Sequence, residues 1–137
     1  MACPACLGRW PDPGDRIADL GETVASLHED QFFAGWTVLV LKRHATELFH
    51  LSREARALLI EELSRAAAAL DSAFRPIKIN YACLGNVLPH VHWHLIPRLP
   101  DDPAPRDPVW AVPHAPVRLD DATRAERVAR IRAHLPS

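Results

Sequence analysis

One seven-residue run, His90-Val-His-Trp-His-Leu-Ile96, limits the local fold more strongly than any other part of the chain. Its histidines alternate with large apolar residues, and a period of two is typical of a strand with one buried face. On such a strand the histidines lie on one side at steps of roughly 6.8 Å, and the residues between them enter the core. The run therefore predicts a rigid row of three imidazoles: His90, His92 and His94.

A long helix and several further strands are predicted around this run. Apolar residues recur at three- and four-residue spacing from Ser52 to about Phe74, which indicates a helix with Ser52 as its N-cap. Pro76 is expected to end this helix. Residues 77–83 and 87–96 are predicted to pair as antiparallel strands. Earlier strands are predicted at 16–20, 23–28 and 36–41.

The C-terminal part of the chain is rich in proline. Seven of the 13 prolines lie in residues 97–116, so this segment is predicted to be an ordered arm without regular structure. Trp110 within it is expected to dock on the surface of the protein. A short last helix is predicted over Ala122–Leu135. The order of elements predicts an α+β fold, with an antiparallel sheet of about five strands and one main helix.

Composition excludes several classes of protein. The length of 137 residues suits one domain. Sixteen Lys and Arg residues against 17 Asp and Glu give a net charge of −1, which argues against binding to nucleic acid or to an anionic membrane. No apolar run reaches the roughly 18 residues of a membrane span. The N-terminus lacks the pattern of a signal peptide, so a cytoplasmic protein is expected.

The histidine run has three possible interpretations. Solvated surface histidines are the first, although histidine is not a favoured residue on exposed strands. The second is a catalytic metal, because neutral imidazole is a common zinc ligand. In the third, one imidazole attacks phosphorus while a protonated neighbour holds the phosphoryl oxygens. Imidazole suits both roles because it is about half neutral near its usual pKa of roughly 6.5.

Other short motifs accompany the run. Pro97-Arg98 follows it, Gly85-Asn86 precedes it, and Lys42-Arg43-His44 ends the predicted central strand. Together these residues resemble the histidine triad (HIT) family of nucleotide hydrolases and transferases, whose motif is three alternating histidines, each followed by an apolar residue. The resemblance covers roughly residues 3–98.

The resemblance implies a role for each residue of the triad. His92 is similar to the nucleophile that takes a nucleoside monophosphate onto its ring nitrogen. His94 is similar to the residue that contacts the transferred phosphate, and His90 supports the row. Asn80 resembles an asparagine that hydrogen-bonds near the phosphate. The implied nucleotide-binding residues are His28, Glu29, Asp30 and Asn86, the last in place of the usual glutamine.

Two positions depart from the family pattern. Ala34-Gly35-Trp36 stands where many members have Pro-Gly-His, so the chain lacks a fourth active-site histidine. Val87 falls where a serine or threonine commonly donates a hydrogen bond to the phosphate or leaving group. A nucleotide-binding protein with little turnover is therefore kept as an alternative.

A second site is indicated by Cys3-Pro-Ala-Cys6, because a C-x-x-C pair holds zinc when two further ligands complete a tetrahedron. In HIT proteins of this kind those ligands are the histidine of the Lys-x-His segment and the first triad histidine. The resemblance thus implies a closed structural zinc site formed by Cys3, Cys6, His44 and His90. A frayed or redox-active C-x-x-C pair is the alternative.

The implied function is hydrolysis or transfer at the α-phosphate of purine nucleotide derivatives, through a nucleotidyl-histidine intermediate on His92. The substrate class is nucleoside phosphoramidates or dinucleoside polyphosphates. No catalytic metal is expected at phosphorus, since imidazolium and hydrogen bonds meet its charge. A metal-dependent enzyme that uses the histidine row as catalytic ligands is the alternative.

The resemblance also implies a domain division and an assembly. Residues 1–98 are expected to form the catalytic domain, with the arm and terminal helix of residues 99–137 packed on it. A homodimer is expected, because the helix stripe and the strand that begins at Trp36 leave apolar surface that a chain of this size covers poorly alone.

Overall fold

An antiparallel sheet holds the histidine run in place. The computed structural model describes residues 2–136, and within them the chain forms five strands, two α-helices and three short 3₁₀ turns. The strands are β1 (Arg16–Asp19), β2 (Thr23–Leu27), β3 (Thr37–Leu41), β4 (Lys78–Ala82) and β5 (His92–Arg98). Their order across the sheet is β1-β2-β3-β5-β4, and every neighbouring pair is antiparallel. The predicted α+β class with about five strands is confirmed.

The main helix, α1 (Arg53–Phe74), packs against β2 and β5. The Ser52 hydroxyl accepts a hydrogen bond from the Ala55 N–H at 3.0 Å, which is the N-cap that the sequence predicts. The helix ends as Arg75 takes a left-handed conformation with φ of 52°, just before the proline. Its buried stripe includes Leu59, Leu63, Ala66 and Leu70.

A second helix, α2 (Asp121–Arg132), packs against β1 and α1. Asp120 caps it by accepting a hydrogen bond from the Thr123 N–H at 2.7 Å. Val128 and Ile131 join the core cluster of the sheet and α1. The predicted terminal helix is therefore present, although it ends three residues earlier than expected. Neither helix in the described part of the chain is long and apolar enough to cross a membrane.

The proline-rich arm between β5 and α2 is held by one buried cation. Arg98 is 2% exposed, and its guanidinium donates to the Asp102 carboxylate at 2.6 Å. It also donates to the carbonyl oxygens of Ala104 and Asp107, at 2.6 and 2.7 Å. A bidentate carboxylate pair with extra carbonyl acceptors satisfies a buried guanidinium, so the start of the arm is well ordered.

The strand that carries the histidines begins later than predicted. β5 starts at His92 rather than at Val87, because Pro89 has no N–H for a strand ladder. The N–H of His90 bonds instead to the Leu88 carbonyl oxygen at 2.8 Å. His90 therefore precedes the strand, whereas His92 and His94 lie on it.

Candidate active site and metal centre

Two histidines of the run, His92 and His94, share one face of β5, with their ring centroids 5.2 Å apart. Pairing with β3 sets His92 opposite Val40 and His94 opposite Val38. Both histidines are 7% exposed, so their rings are held by packing on a central strand of the sheet. Side chains held in this way on a central strand have little freedom to reorient.

The His92 ring is oriented by the main chain. Its Nδ1 lies 2.7 Å from the carbonyl oxygen of His90. Because a carbonyl oxygen only accepts, Nδ1 carries the proton, and the lone pair of the neutral ring is on Nε2. The Trp10 ring packs edge-on against the imidazole, with centroids 5.2 Å apart. A neutral imidazole in this state has one nitrogen able to act as a nucleophile.

His94 lies in an aromatic setting. Burial lowers the pKa of His94 to about 3, and the neighbouring imidazoles of His92 and His28 add to this effect. The indole N–H of Trp36 donates to His94 Nδ1 at 3.0 Å, and the Trp110 ring packs edge-on with centroids 4.9 Å apart. His94 is therefore uncharged at neutral pH and does not supply the protonated neighbour of the third interpretation.

Four side chains before β5 form a cluster of metal-ligating atoms. One ligand atom from each of Cys3, Cys6, His44 and His90 lies within 4.8 Å of the other three. Three of the four Sγ–Nδ1 distances are 3.3, 3.4 and 3.6 Å, and the two Nδ1 atoms are 3.1 Å apart. Ordinary zinc bond lengths in a tetrahedron separate sulfur from nitrogen by about 3.5 Å and two nitrogens by about 3.3 Å. The donor set and its spacing therefore fit a zinc ion.

The His90 ring presents a lone pair to this cluster. Its Nε2 lies 2.7 Å from the Leu41 carbonyl oxygen and therefore carries the proton, which leaves Nδ1 unprotonated. If His44 Nδ1 is also unprotonated, the two lone pairs face each other across 3.1 Å and repel unless a cation lies between them. The C-x-x-C pair is presented by a turn in which the Leu7 N–H bonds to the Cys3 carbonyl oxygen at 3.0 Å.

A cavity of about 390 Å³ lies next to aromatic neighbours of the two buried histidines, although neither histidine lines it. Trp10 and His28 line it, and these rings contact His92 and His94, with centroids 5.2 and 5.7 Å apart. Glu29 also lines it, and its carboxylate accepts a hydrogen bond from the Trp10 indole N–H at 3.2 Å. The volume is within the usual range for small-molecule sites. The remaining walls are mostly charged: Arg9, Asp12, Asp15, Arg118 and Arg124.

Asp30, a predicted nucleotide-binding residue, anchors the C-terminal arm. One carboxylate oxygen accepts from the N–H groups of Phe32 and Val117, both at 2.9 Å, and the other lies 2.7 Å from His114 Nε2. Hydrogen bonds to the Asp30 carboxylate and to the Val112 carbonyl raise the pKa of His114. Both carboxylate oxygens of Asp30 are thus engaged within the protein.

The two predicted asparagines lie apart from each other. Asn80 sits on β4 opposite Ile96, and its Oδ1 accepts a hydrogen bond from the Arg98 guanidinium at 2.8 Å. Asn86 is exposed in the loop before His90. The structure therefore places His28 against His94, and Glu29 against His28 and Trp10. Within residues 2–136, the side chains of Asp30, Asn80 and Asn86 make no hydrogen bond to His92 or His94.

Two tryptophans of the site were missed by sequence reasoning. The sequence predicts Trp36 at the start of a strand and Trp110 as an anchor of the arm, and neither was predicted to contact His94. The Trp36 indole N–H donates a hydrogen bond to His94. Trp110, which is 49% exposed, packs on the Trp36 indole and on the His94 imidazole. Trp110 also lines a second cavity of about 380 Å³ with Asn80 and Tyr81. The sequence feature that could have indicated a role for Trp110 is its position as a single tryptophan in a proline-rich arm.

Comparison with family models identifies a HIT domain over residues 12–101, which includes all five strands. A histidine triad protein of Bradyrhizobium japonicum is 31% identical, with a TM-score of 0.80 over 88% of this chain and 91% of that one. A histidine triad protein of Sinorhizobium meliloti is also 31% identical, with a TM-score of 0.81 over 88% of this chain and 90% of that one.

A more distant structure shares the fold. A zinc-bound histidine triad family protein of Mycobacterium smegmatis is 23% identical, with a TM-score of 0.74 over 98% of this chain and 94% of that one. Comparison with curated protein sequences finds no match.

Proposed function

The chain belongs to the HIT family, and from this premise we propose that it is a nucleotide hydrolase or transferase. Its substrates are purine nucleotide derivatives, either nucleoside phosphoramidates or dinucleoside polyphosphates, and the reaction takes place at the α-phosphate. The observation that carries the proposal is the state of His92, a buried imidazole whose Nδ1 proton is engaged by the His90 carbonyl and whose lone pair is on Nε2.

In the proposed reaction, His92 Nε2 attacks the α-phosphorus in line with the bond to the leaving group. The new N–P bond forms as the P–N or P–O bond to the leaving amine or nucleotide breaks, with the electron pair going to the leaving group. The leaving group takes up a proton from solvent. Water then attacks the nucleotidyl-His92, and the N–P bond breaks with its electron pair returning to Nε2. The proton lost by the attacking water returns to solvent, the monophosphate is released and the neutral ring is restored. His90 supports this step through the carbonyl that orients His92.

Neighbouring polar groups are proposed to stabilise the phosphoryl oxygens. His94 lies beside His92 and is uncharged, so it acts through hydrogen bonding rather than through charge. Asn80 has its Oδ1 held by Arg98, which leaves its NH₂ group as a donor. No metal ion is assigned to the phosphorus in this proposal.

The cavity lined by Trp10 and His28, whose rings contact His92 and His94, is proposed as the nucleotide site. His28 and Glu29 line it, and a carboxylate that accepts from two vicinal hydroxyls suits a ribose. Asp30 is proposed to support the site by fixing the arm, since its oxygens are engaged there. Asn86, exposed in the loop before His90, is the fourth proposed nucleotide-binding residue.

We also propose that the four-residue cluster holds a structural zinc ion. With thiolates from Cys3 and Cys6 and lone pairs from His44 and His90, the site is closed and leaves no position for a substrate. The ion ties the N-terminal turn to the segment before β5. The zinc-bound relative from Mycobacterium smegmatis has the same fold, which supports this proposal.

A substrate panel tests the proposed function. The native protein is incubated with AMP- and GMP-phosphoramidates, dinucleoside polyphosphates and nucleotide sugars, and rapidly quenched samples are analysed by mass spectrometry. We expect release of a nucleoside monophosphate and a covalent nucleotidyl adduct on His92. A rise in melting temperature with AMP or GMP, without consumption of any substrate, would instead favour a nucleotide-binding protein with little turnover.

A homodimer is the expected assembly. The strand that begins at Trp36 is covered within one chain, contrary to expectation, because β3 lies between β2 and β5 and is buried throughout. Exposed apolar side chains are found instead on α1 and on the edge strand β4: Leu58, Ile60 and Tyr81, each 48–49% exposed. Light scattering at micromolar concentration should give twice the chain mass of 15.3 kDa.

A pair of variants tests whether the exposed apolar surface of α1 forms the dimer interface. Leu58→Glu replaces one of these exposed apolar side chains with a charge and is expected to shift the protein toward the monomer. Ala68→Glu changes an exposed alanine on the same helix and should leave the mass unchanged. A native protein that scatters as a monomer contradicts the expected assembly.

A further inference from the structure

The Trp36 indole is held on several sides. Gln31 is buried and donates to the carbonyl oxygens of His28 and Trp36, at 2.9 and 2.8 Å, while its own oxygen accepts from the Gly35 N–H at 3.0 Å. The His28 ring stacks flat on the indole, with centroids 3.9 Å apart and planes within 6°. Gly35 has φ of +89°, and a Cβ there would lie 2.8 Å from the Phe74 ring. The loop before β3 therefore sets the position of the indole N–H.

That N–H has one partner, His94 Nδ1, at 3.0 Å. An indole nitrogen only donates, so Nδ1 must offer its lone pair, and the proton of the neutral imidazole must be on Nε2. A proton on Nδ1 would set two N–H groups face to face in a buried site, where Trp36 is 3% and His94 is 7% exposed. Such a contact leaves two buried donors without an acceptor.

We propose that Trp36 is a positioning residue that fixes His94 as the neutral Nε2–H tautomer, so that His94 is a permanent hydrogen-bond donor and not a proton carrier. Its effect on substrate rests on the proposed function, since the Nε2–H would then point at a phosphoryl oxygen. The position that lacks the family histidine thus supplies an N–H that controls the tautomer of another histidine.

The surroundings of His94 favour this assignment. The groups that face its ring are His92 on β5, His28 at the end of β2, and the indoles of Trp36 and Trp110. Within residues 2–136 no carboxylate is hydrogen bonded to His94, so a charged ring would have no counter-ion. Burial and the adjacent imidazoles lower its pKa to about 3, in agreement with a neutral ring.

The three histidines of the run thereby acquire three different states from three different partners. The Leu41 carbonyl leaves His90 with a lone pair on Nδ1, which faces the metal-ligating cluster. The His90 carbonyl leaves His92 with a lone pair on Nε2. The Trp36 indole does the opposite for His94, and leaves a proton on Nε2. Chemically identical side chains are thus distinguished by one hydrogen bond each.

Two-bond ¹H–¹⁵N correlation spectra of labelled protein test the proposal without substrate, because they separate protonated from unprotonated ring nitrogens. His94 signals are assigned by their loss in His94→Gln. In the native protein we expect one tautomer, with an unprotonated Nδ1 and a protonated Nε2. In Trp36→Phe, an Nδ1–H population should emerge, and kcat should fall about tenfold with a smaller change in KM.

Control variants distinguish the effect of losing the Trp36–His94 hydrogen bond from the effect of losing side-chain packing. Trp110→Phe removes the other indole that packs on His94. Because the Trp110 indole makes no hydrogen bond to His94, this change should leave the His94 tautomer unchanged. Because Trp36→Phe also removes volume, a second variant replaces Trp36 with β-(3-benzothienyl)alanine, which keeps the shape and lacks the N–H. A native Nδ1–H tautomer, or a single Nε2–H tautomer in the benzothienyl variant, would overturn the proposal. If no substrate is turned over, the proposed function fails while these spectra still decide the tautomer.

Discussion

Replacement of His92 by alanine is expected to lower kcat/KM by about 10⁴-fold or more while nucleotide binding is retained. The effect is large because the reaction proposed here passes through a covalent bond to His92 Nε2, and no other group at the site supplies that atom. His94 cannot replace it, since Trp36 donates to its Nδ1 and Nε2 is proposed to carry the proton. The variant should still bind AMP, because the cavity lined by His28 and Glu29 is unchanged.

Steady-state kinetics and intact-protein mass spectrometry check this expectation. The nucleotidyl adduct should disappear in His92→Ala. His134→Ala, which removes an exposed histidine beyond the end of α2, serves as the matched control and should behave like the native protein. If His92→Ala turns over the substrate panel at the native rate, His92 is not the nucleophile.

The double change Cys3→Ser and Cys6→Ser is expected to reduce the zinc content from about one ion per chain to nearly none. Serine hydroxyls are poor ligands, and two histidines alone do not close a tetrahedral site. Loss of the ion should also lower Tm by about 10 °C, because zinc that binds only the folded state adds its binding energy to stability. The N-terminal turn and the segment before β5 would then no longer be linked by a shared metal ion.

Elemental analysis and calorimetry on protein purified without added metal measure both quantities. Cys83→Ser is the matched control, since Cys83 packs against a separate core cluster and should leave zinc content unchanged. Unchanged zinc in the double variant would contradict the structural site. Zinc that persists there and is lost in His92→Ala would instead indicate a catalytic metal in the histidine row.

The helices and strands follow from features that are local in the sequence. The spacing of apolar residues and the Ser52 cap predicted α1 to within one residue, because helix period and capping depend on neighbours three or four positions away. The start of β5 was wrong by five residues, because the N–H groups of His90 and Val91 bond to Leu88 and Ala45 rather than to β4.

The sequence by itself determined which histidines alternate on β5 and, through resemblance to a family, which four side chains form the metal-ligating cluster. Tertiary structure decided how those side chains differ chemically. Trp36 is 58 positions from His94 along the chain, and His114 is 84 positions from Asp30. No local pattern contains such pairs, because they depend on how the loop before β3 and the arm pack on the sheet. The proton position on His94 and the raised pKa of His114 follow from those long-range contacts, since an imidazole takes the tautomer that its hydrogen-bond partner requires.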